Sequence, residues 1–311
     1  MRAALRRLPG LVAVAGAGAA VIGLLWRPSG HPVSVVTARG QSAQLAGDGL
    51  YRYDTVFIAA GNTAVDEVVL ALGLPLVVAA WLQFRAGSPR GSLLLTGALG
   101  FLLYVYATYA FGVAYNPLFL VYVALLAATL FGFIAAFAAT DRAALAAAAA
   151  DPGLPHRFLS RFLLSSAAVT ALVWLQPLVT ALLRGTAPAL LDVYTTPVTY
   201  ALDLAVITPA AALAGLLVRR RDPLGYLLAA PLLVTIVLLL PTIALSTALQ
   251  AAAGISFTAA EVAGPIAGFG ILGGVGSWLL VRLLRAMPTT ASAHADAAAE
   301  SRSTAGIPAG G

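Results

Sequence analysis

An all-α polytopic transmembrane helix bundle of about eight spans is the fold class this sequence predicts, on three observations. The chain is 60% hydrophobic and only 10% charged, whereas soluble domains carry about 25% charged residues. So little charge cannot coat a water-soluble surface. Apolar runs long enough to cross a bilayer recur along the chain, each near the ~20 residues a membrane helix needs. The loops between them alternate between arginine-rich and arginine-poor.

The runs place span 1 at 9–25, span 2 at 65–84, span 3 at 92–112 and span 4 at 117–138. Span 5 follows at 158–183, span 6 at 197–218, span 7 at 224–248 and span 8 at 262–285. Span 1 has a basic start and small residues from Ala15 to Ala20, so it also fits a signal peptide. Cleavage there would leave seven spans.

All but four of the 18 basic residues, every one an arginine, fall on one side of this layout: Arg2, Arg6, Arg7, Arg85, Arg90, Arg142, Arg157, Arg161, Arg219, Arg220, Arg221, Arg282, Arg285 and Arg302. Arg27, Arg39, Arg52 and Arg184 lie on the other. Basic residues near span ends resist translocation, so the rich side is expected to be cytoplasmic, with both termini inside. The acids are less biased. Asp48, Asp54, Asp66, Glu67, Asp192, Asp203 and Glu261 lie outside or in the outer half.

Residues 1–286 thus form the expected bundle, with 27–64 as an outer segment. Within it, Leu50 to Ile58 mixes aromatics with charges, as an interfacial helix or strand would. The link from Thr140 to His156 holds an alanine run read as a short helix, closed by Asp151-Pro152-Gly153. Residues 287–311 are mostly Ala, Ser, Thr, Gly and Pro, a composition expected to give a disordered cytoplasmic tail.

A spacing suggests two parallel four-helix repeats. Pro75 and Pro209, Arg85 and Arg219, Pro89 and Pro223, and Gly91 and Gly225 each differ by 134 positions. Repeats four spans apart would have the same orientation, as in some transporters. Proline and glycine also recur in tight turns without any duplication.

Asp203 is the sharpest functional candidate. It lies inside span 6, where an acid is costly and points to an ion site or proton relay; reach to the interface or pairing with a neighbouring helix are the structural alternatives. Asp66 and Glu67 start span 2. There they either complement the helix dipole or, with Asp192 and Glu261, form an acidic outer vestibule. Gln176-Pro177 and Pro241-Thr242 are polar or broken points inside spans 5 and 7. Span 3 carries Phe101, Tyr104, Tyr106, Tyr109 and Phe111, which read as an aromatic pocket or as ordinary packing. In span 8 the pairs Gly264 with Gly268 and Gly270 with Gly274 have the spacing of close helix packing, within the bundle or at a homo-oligomer seam.

Several chemistries are excluded. With no cysteine and no lysine, there is no thiolate site, Schiff base or phosphate-loop lysine. His31, His156 and His294 have no metal-ligand spacing. No cofactor motif is present, and the net charge of +6 sits at span ends rather than on a nucleic-acid-binding face.

The stretches Thr108 to Phe119 (TYAFGVAYNPLF), Ala201 to Leu204, and Arg219 to Leu227 (RRRDPLGYL) resemble a group of uncharacterised bacterial multi-pass membrane proteins common in actinobacteria. The resemblance spans roughly spans 2 to 7. It implies a plasma-membrane location and this topology, and transfers no catalytic residue. The expected function is a transporter or permease with an ion or proton site at Asp203 and an acidic outer vestibule. The alternative is a non-transporting scaffold or sensor whose outer segment binds a partner. Absent motifs disfavour a lipid-acting enzyme.

Overall fold

A computed structural model describes residues 5–188 and 191–288. The expected tail beyond residue 288 lies outside these residues. The chain forms nine helices among the described residues, eight of them long and apolar enough to cross a membrane. They are α1 (Leu8–Leu25), α2 (Val56–Arg85), α3 (Pro89–Gly112), α4 (Phe119–Ala139), the short α5 (Arg142–Ala150), α6 (His156–Leu183), α7 (Val198–Arg219), α8 (Pro223–Ala252) and α9 (Ala259–Ala286). Large apolar side chains such as Leu11, Leu120, Phe131, Leu172, Leu182 and Ile271 face outward. Such a surface is stable against lipid rather than water, so the bundle contacts the bilayer.

The span boundaries agree with the apolar runs within a few residues, except at α2. Its helix begins at Val56, nine residues before the expected start at 65. Thr55 caps it by accepting from the Ile58 N–H at 3.3 Å, and Val56-Phe57-Ile58 supplies the first apolar turn. Asp66 and Glu67 are therefore not at a helix start but in its third and fourth turns. Before α2, Val33–Val36 (β1) and Ser42–Leu45 (β2) form an antiparallel hairpin pairing Val33 with Leu45 and Val36 with Ser42.

Two apolar cores organise the bundle. One joins α1, α2, α3, α4 and the outer segment around Leu50, Val77, Leu99, Leu102 and Leu125. The other joins α5 to α9 around Leu145, Leu163, Val218, Leu233 and Leu279. Helix α8 packs against α2, α3, α7 and α9 and links the two. Helix α1 belongs to the first core: Leu5 and Val12 are fully buried, and the Trp81 indole donates to the Leu5 carbonyl at 3.0 Å.

The spacing of 134 recurs in the backbone. Residues Val69–Gly73 of α2 and Asp203–Ile207 of α7 are π-helical. Each precedes a proline, Pro75 or Pro209, which lacks an N–H and whose ring would strike the carbonyl four residues back. A widened turn relieves both problems: Leu74 N–H reaches the Val69 carbonyl and Thr208 N–H the Asp203 carbonyl. The following turns match as well. Gly87 and Arg221 have positive φ, +79° and +56°. Ser88 caps α3 and Asp222 caps α8. A β-carbon at Gly91 would overlap backbone at Gln83 and Phe84, and one at Gly225 backbone at Leu217 and Val218.

Candidate functional site

The first half of the bundle encloses a carboxylate. Asp66 is 3% exposed, and its position is fixed from four elements. Helix α2 presents it inward while its neighbour Glu67 turns outward, since adjacent helical residues diverge in direction. From the outer segment the Tyr51 hydroxyl donates to Asp66 Oδ2 at 2.6 Å. From α3 the Tyr109 hydroxyl lies 3.0 Å from Oδ1 and 2.9 Å from the Asn62 carbonyl. From α1, Gly23 leaves room: any β-carbon there would overlap the Asp66 carboxylate. Tyr109 packs edge-on against Tyr51, Tyr106 and Tyr122, with ring centroids 6.4, 6.3 and 5.0 Å away.

Depth follows from helix geometry. Nineteen residues separate Asp66 from Arg85 at the arginine-rich end, about 29 Å of helix against a hydrocarbon core of ~30 Å. Asp66 therefore sits near the arginine-poor boundary of the membrane, beneath the outer segment. That segment is folded down as a cap. Leu50 and Tyr51 are each 1% exposed, and the Leu50 N–H bonds to the Trp26 carbonyl at 2.9 Å. Gly49 allows the descent, with φ +74° and backbone of Trp26 to Pro28 where a side chain would start.

A second acid lies in the cap. Asp54 is fully buried. Its Oδ1 accepts from the Ala114 N–H at 2.9 Å and the Tyr194 hydroxyl at 2.8 Å. Burial pushes its carboxyl up to about 6, against the opposing pull of those two bonds. Its Oδ2 has no partner within hydrogen-bond distance, nor do Asn116 Nδ2 and the Tyr122 hydroxyl, which face each other at longer range. Among the described residues the one ion pair is Arg27 with Glu67 at 2.7 Å, partly exposed on both sides. Neither buried acid has a basic partner.

The other expected site residues are placed apart from this cluster. Asp203 is half-buried and accepts from the Trp174 indole at 2.7 Å, with Tyr200 stacked on that indole and Tyr104 facing the same carboxylate. Glu67 is held by Arg27. Asp192 lies in a turn with φ +42°, where Arg39 donates to its carbonyl. Glu261 is exposed and completes a capping box with Thr258 at the start of α9. Gln176 is exposed on α6. Helices α6 and α8 continue through Pro177 and Pro241, and the Thr242 hydroxyl donates back to the Leu238 carbonyl. Gly264, Gly268, Gly270 and Gly274 face open space, while Gly273 and Gly276 pack on α8. Of the expected residues, Asp66 meets Tyr109 and Asp203 meets Tyr104, in separate places.

Sequence reasoning passed over Gly23, Tyr51, Asp54, Asn62, Asn116 and Tyr122 as site residues. A signal existed for Tyr51 and Asp54, which lie in the aromatic and charged stretch of the outer segment, and for Asn62, a lone amide in an apolar run. Gly23 carried none. A separate cleft of about 520 Å³ opens on the arginine-rich side, lined by Arg6, Arg85, Ser88, Ser92 and Asp141 among others.

No protein-family model, curated protein or solved structure matches the chain.

Proposed function

We propose that this protein is a permease of a bacterial plasma membrane, with its arginine-rich side cytoplasmic and its ion-handling site at Asp66 rather than Asp203. The observation that carries this reading is the Asp66 cluster. A carboxyl group is enclosed at the membrane boundary by tyrosine hydroxyls, with no basic side chain bonded to it. An unpaired buried carboxylate is costly, and such groups in membrane bundles are associated with ion and proton pathways. Asp54 in the overlying cap extends the acidic region toward the outer water, so the acidic vestibule consists of Asp54 and Asp66. Glu67, Asp192 and Glu261 are occupied with an ion pair, a turn and a helix cap.

The orientation follows from the arginine asymmetry. The test is flux in proteoliposomes: wild-type protein is expected to carry substrate or ions in response to a gradient, Asp66→Asn to lose that flux, and Asp203→Asn to retain most of it. Loss in Asp203→Asn alone would return the site to α7.

One observation favours a second reading, a sensor or scaffold. The β1–β2 hairpin stands outside the bundle with Val33 49% and Val36 76% exposed, and an open strand edge is a ready template for a partner strand. Absence of flux from the wild type would favour it.

A further inference from the structure

We propose that Asp66 carries a proton in this conformation, and that the proton is the ion the permease couples to. The inference rests on the permease reading for its second half only. Its first half follows from counting hydrogens. Three close oxygen–oxygen contacts meet at this site: Tyr51 hydroxyl to Asp66 Oδ2 at 2.6 Å, Tyr109 hydroxyl to Asp66 Oδ1 at 3.0 Å, and Tyr109 hydroxyl to the Asn62 carbonyl at 2.9 Å. Each hydrogen bond needs one hydrogen, and two tyrosines supply two. An ionised Asp66 leaves the Tyr109 hydrogen shared between two acceptors, a weaker arrangement than one hydrogen for each contact. A proton on Oδ1 completes the set: Asp66 donates to Tyr109, Tyr109 donates to Asn62, and Tyr51 donates to Oδ2.

The groups facing Asp66 are consistent with a neutral acid. They are Tyr51 from the outer segment, Tyr106 and Tyr109 from α3, Tyr122 from α4 and Gly23 from α1. Of the arginines on the same side, Arg27 is bound to Glu67, and Arg52, next to Tyr51 in the chain, lies over the Tyr53 ring with its Nε buried and unpartnered; neither forms an ion pair with Asp66. A metal cation fits poorly. It would need several oxygens turned toward it, and both Asp66 oxygens are turned toward hydroxyls. No cluster of three or more acids or histidines exists among the described residues.

An outward path would run through the polar groups of the cap. Tyr122 lies in electrostatic reach of both Asp66 and Asp54. The unpartnered buried atoms in and beside the cap are the Tyr122 hydroxyl, the amide N–H₂ groups of Asn62 and Asn116, Arg52 Nε and the carboxylate Oδ2 of Asp54. This mixture of donors and acceptors suits a proton relay and not an all-oxygen cation cage. On release, the Asp66 O–H bond breaks, its proton is carried by water to the unpartnered Asp54 Oδ2 and from there to the outer side, and the Tyr109 hydrogen turns back from Asn62 to Oδ1. Uptake reverses these steps, so charge and hydrogens balance.

The test is infrared difference spectroscopy of the full chain in lipid, compared with Asp66→Asn and Asp203→Asn. A protonated-carboxyl band at neutral pH is expected, lost in Asp66→Asn and kept in Asp203→Asn. Asparagine keeps the donor to Tyr109 and the acceptor for Tyr51 of the neutral acid, with one further N–H, so Asp66→Asn should unfold close to the wild-type temperature near neutral pH. An ionised carboxylate at position 66, or a marked loss of stability in Asp66→Asn, overturns the proton assignment. Proton uptake into vesicles containing a pH-sensitive dye tests the coupling. Flux that follows sodium and ignores the pH gradient overturns proton coupling and leaves the permease reading standing. No flux of any kind from the wild type overturns the permease reading, while the infrared band still decides whether Asp66 holds its proton.

Discussion

The two halves of the bundle carry the same backbone break and put different chemistry beside it. In α2, the π-helical turn before Pro75 lies just inside Asp66. In α7, the matching turn before Pro209 begins at Asp203. Asp66 is enclosed by tyrosines from three elements and sealed from above by the outer segment. Asp203 is half-buried and held by the Trp174 indole with Tyr104 beside it. The break alone is thus an architectural consequence of proline, and enclosure separates the two acids. The outer segment enforces the difference, because its Tyr51 descends only onto the first half. It also ties the halves together through Arg39, which donates to the Asp192 and Tyr194 carbonyls, and through the Tyr194 bond to Asp54.

The largest expected effect falls on the seal. Gly23→Leu drives a side chain into the Asp66 carboxylate and its wall, and overpacking of this kind costs about 1–3 kcal/mol or more. Thermal unfolding in detergent should show a clear drop, whereas the same change at Gly18, where open space surrounds the backbone, should show little. Equal effects at both positions would mean that α1 does not form the wall of the site.

A smaller contrast compares the acids directly. Tyr109→Phe removes the hydroxyl that bridges Asp66 and Asn62, leaving buried polar atoms unpaired at a cost of about 1–3 kcal/mol. Trp174→Phe removes one bond to the less enclosed Asp203 and should cost less, since the Tyr104 hydroxyl remains beside that carboxylate. Denaturation of the two variants side by side would break the comparison if Trp174→Phe proved the more damaging.

The smallest effect concerns the cap. The Asp54 carboxyl is raised to about 6 from an ordinary 3.8, by burial. The folded state therefore binds this proton more tightly than the unfolded state. Its contribution to stability is greatest below about pH 4 and declines as pH rises through about 6. Hydrogen exchange in residues 46–55, corrected for its intrinsic pH dependence, should report a looser cap at pH 8 than at pH 5. Asp54→Asn should flatten that difference.

Much of this architecture was legible because it depends on local patterns. Span length and hydropathy marked eight helices, and the alanine run after Thr140 marked α5. The 134-residue spacing of Pro75 with Pro209 and Gly91 with Gly225 anticipated the matching hairpins, while the paired π-helical turns emerged only in the structure. The start of α2 was misplaced for a physical reason. The Asp66–Glu67 pair looked like the polar edge of a span, and a charge that is buried by distant tyrosines cannot be distinguished in the sequence from one at an interface.

The sequence by itself determined a polytopic helical membrane protein, the order of its spans and the sorting of its arginines. These properties follow from the transfer of each segment between water and lipid, which neighbouring residues decide. Only the tertiary structure decided that Asp66 is the enclosed acid and Asp203 is not. That outcome depends on Gly23, Tyr51, Tyr109 and Tyr122 meeting at one point from α1, the outer segment, α3 and α4. Burial of a single side chain is set by such long-range packing, and local sequence pattern carries no record of it.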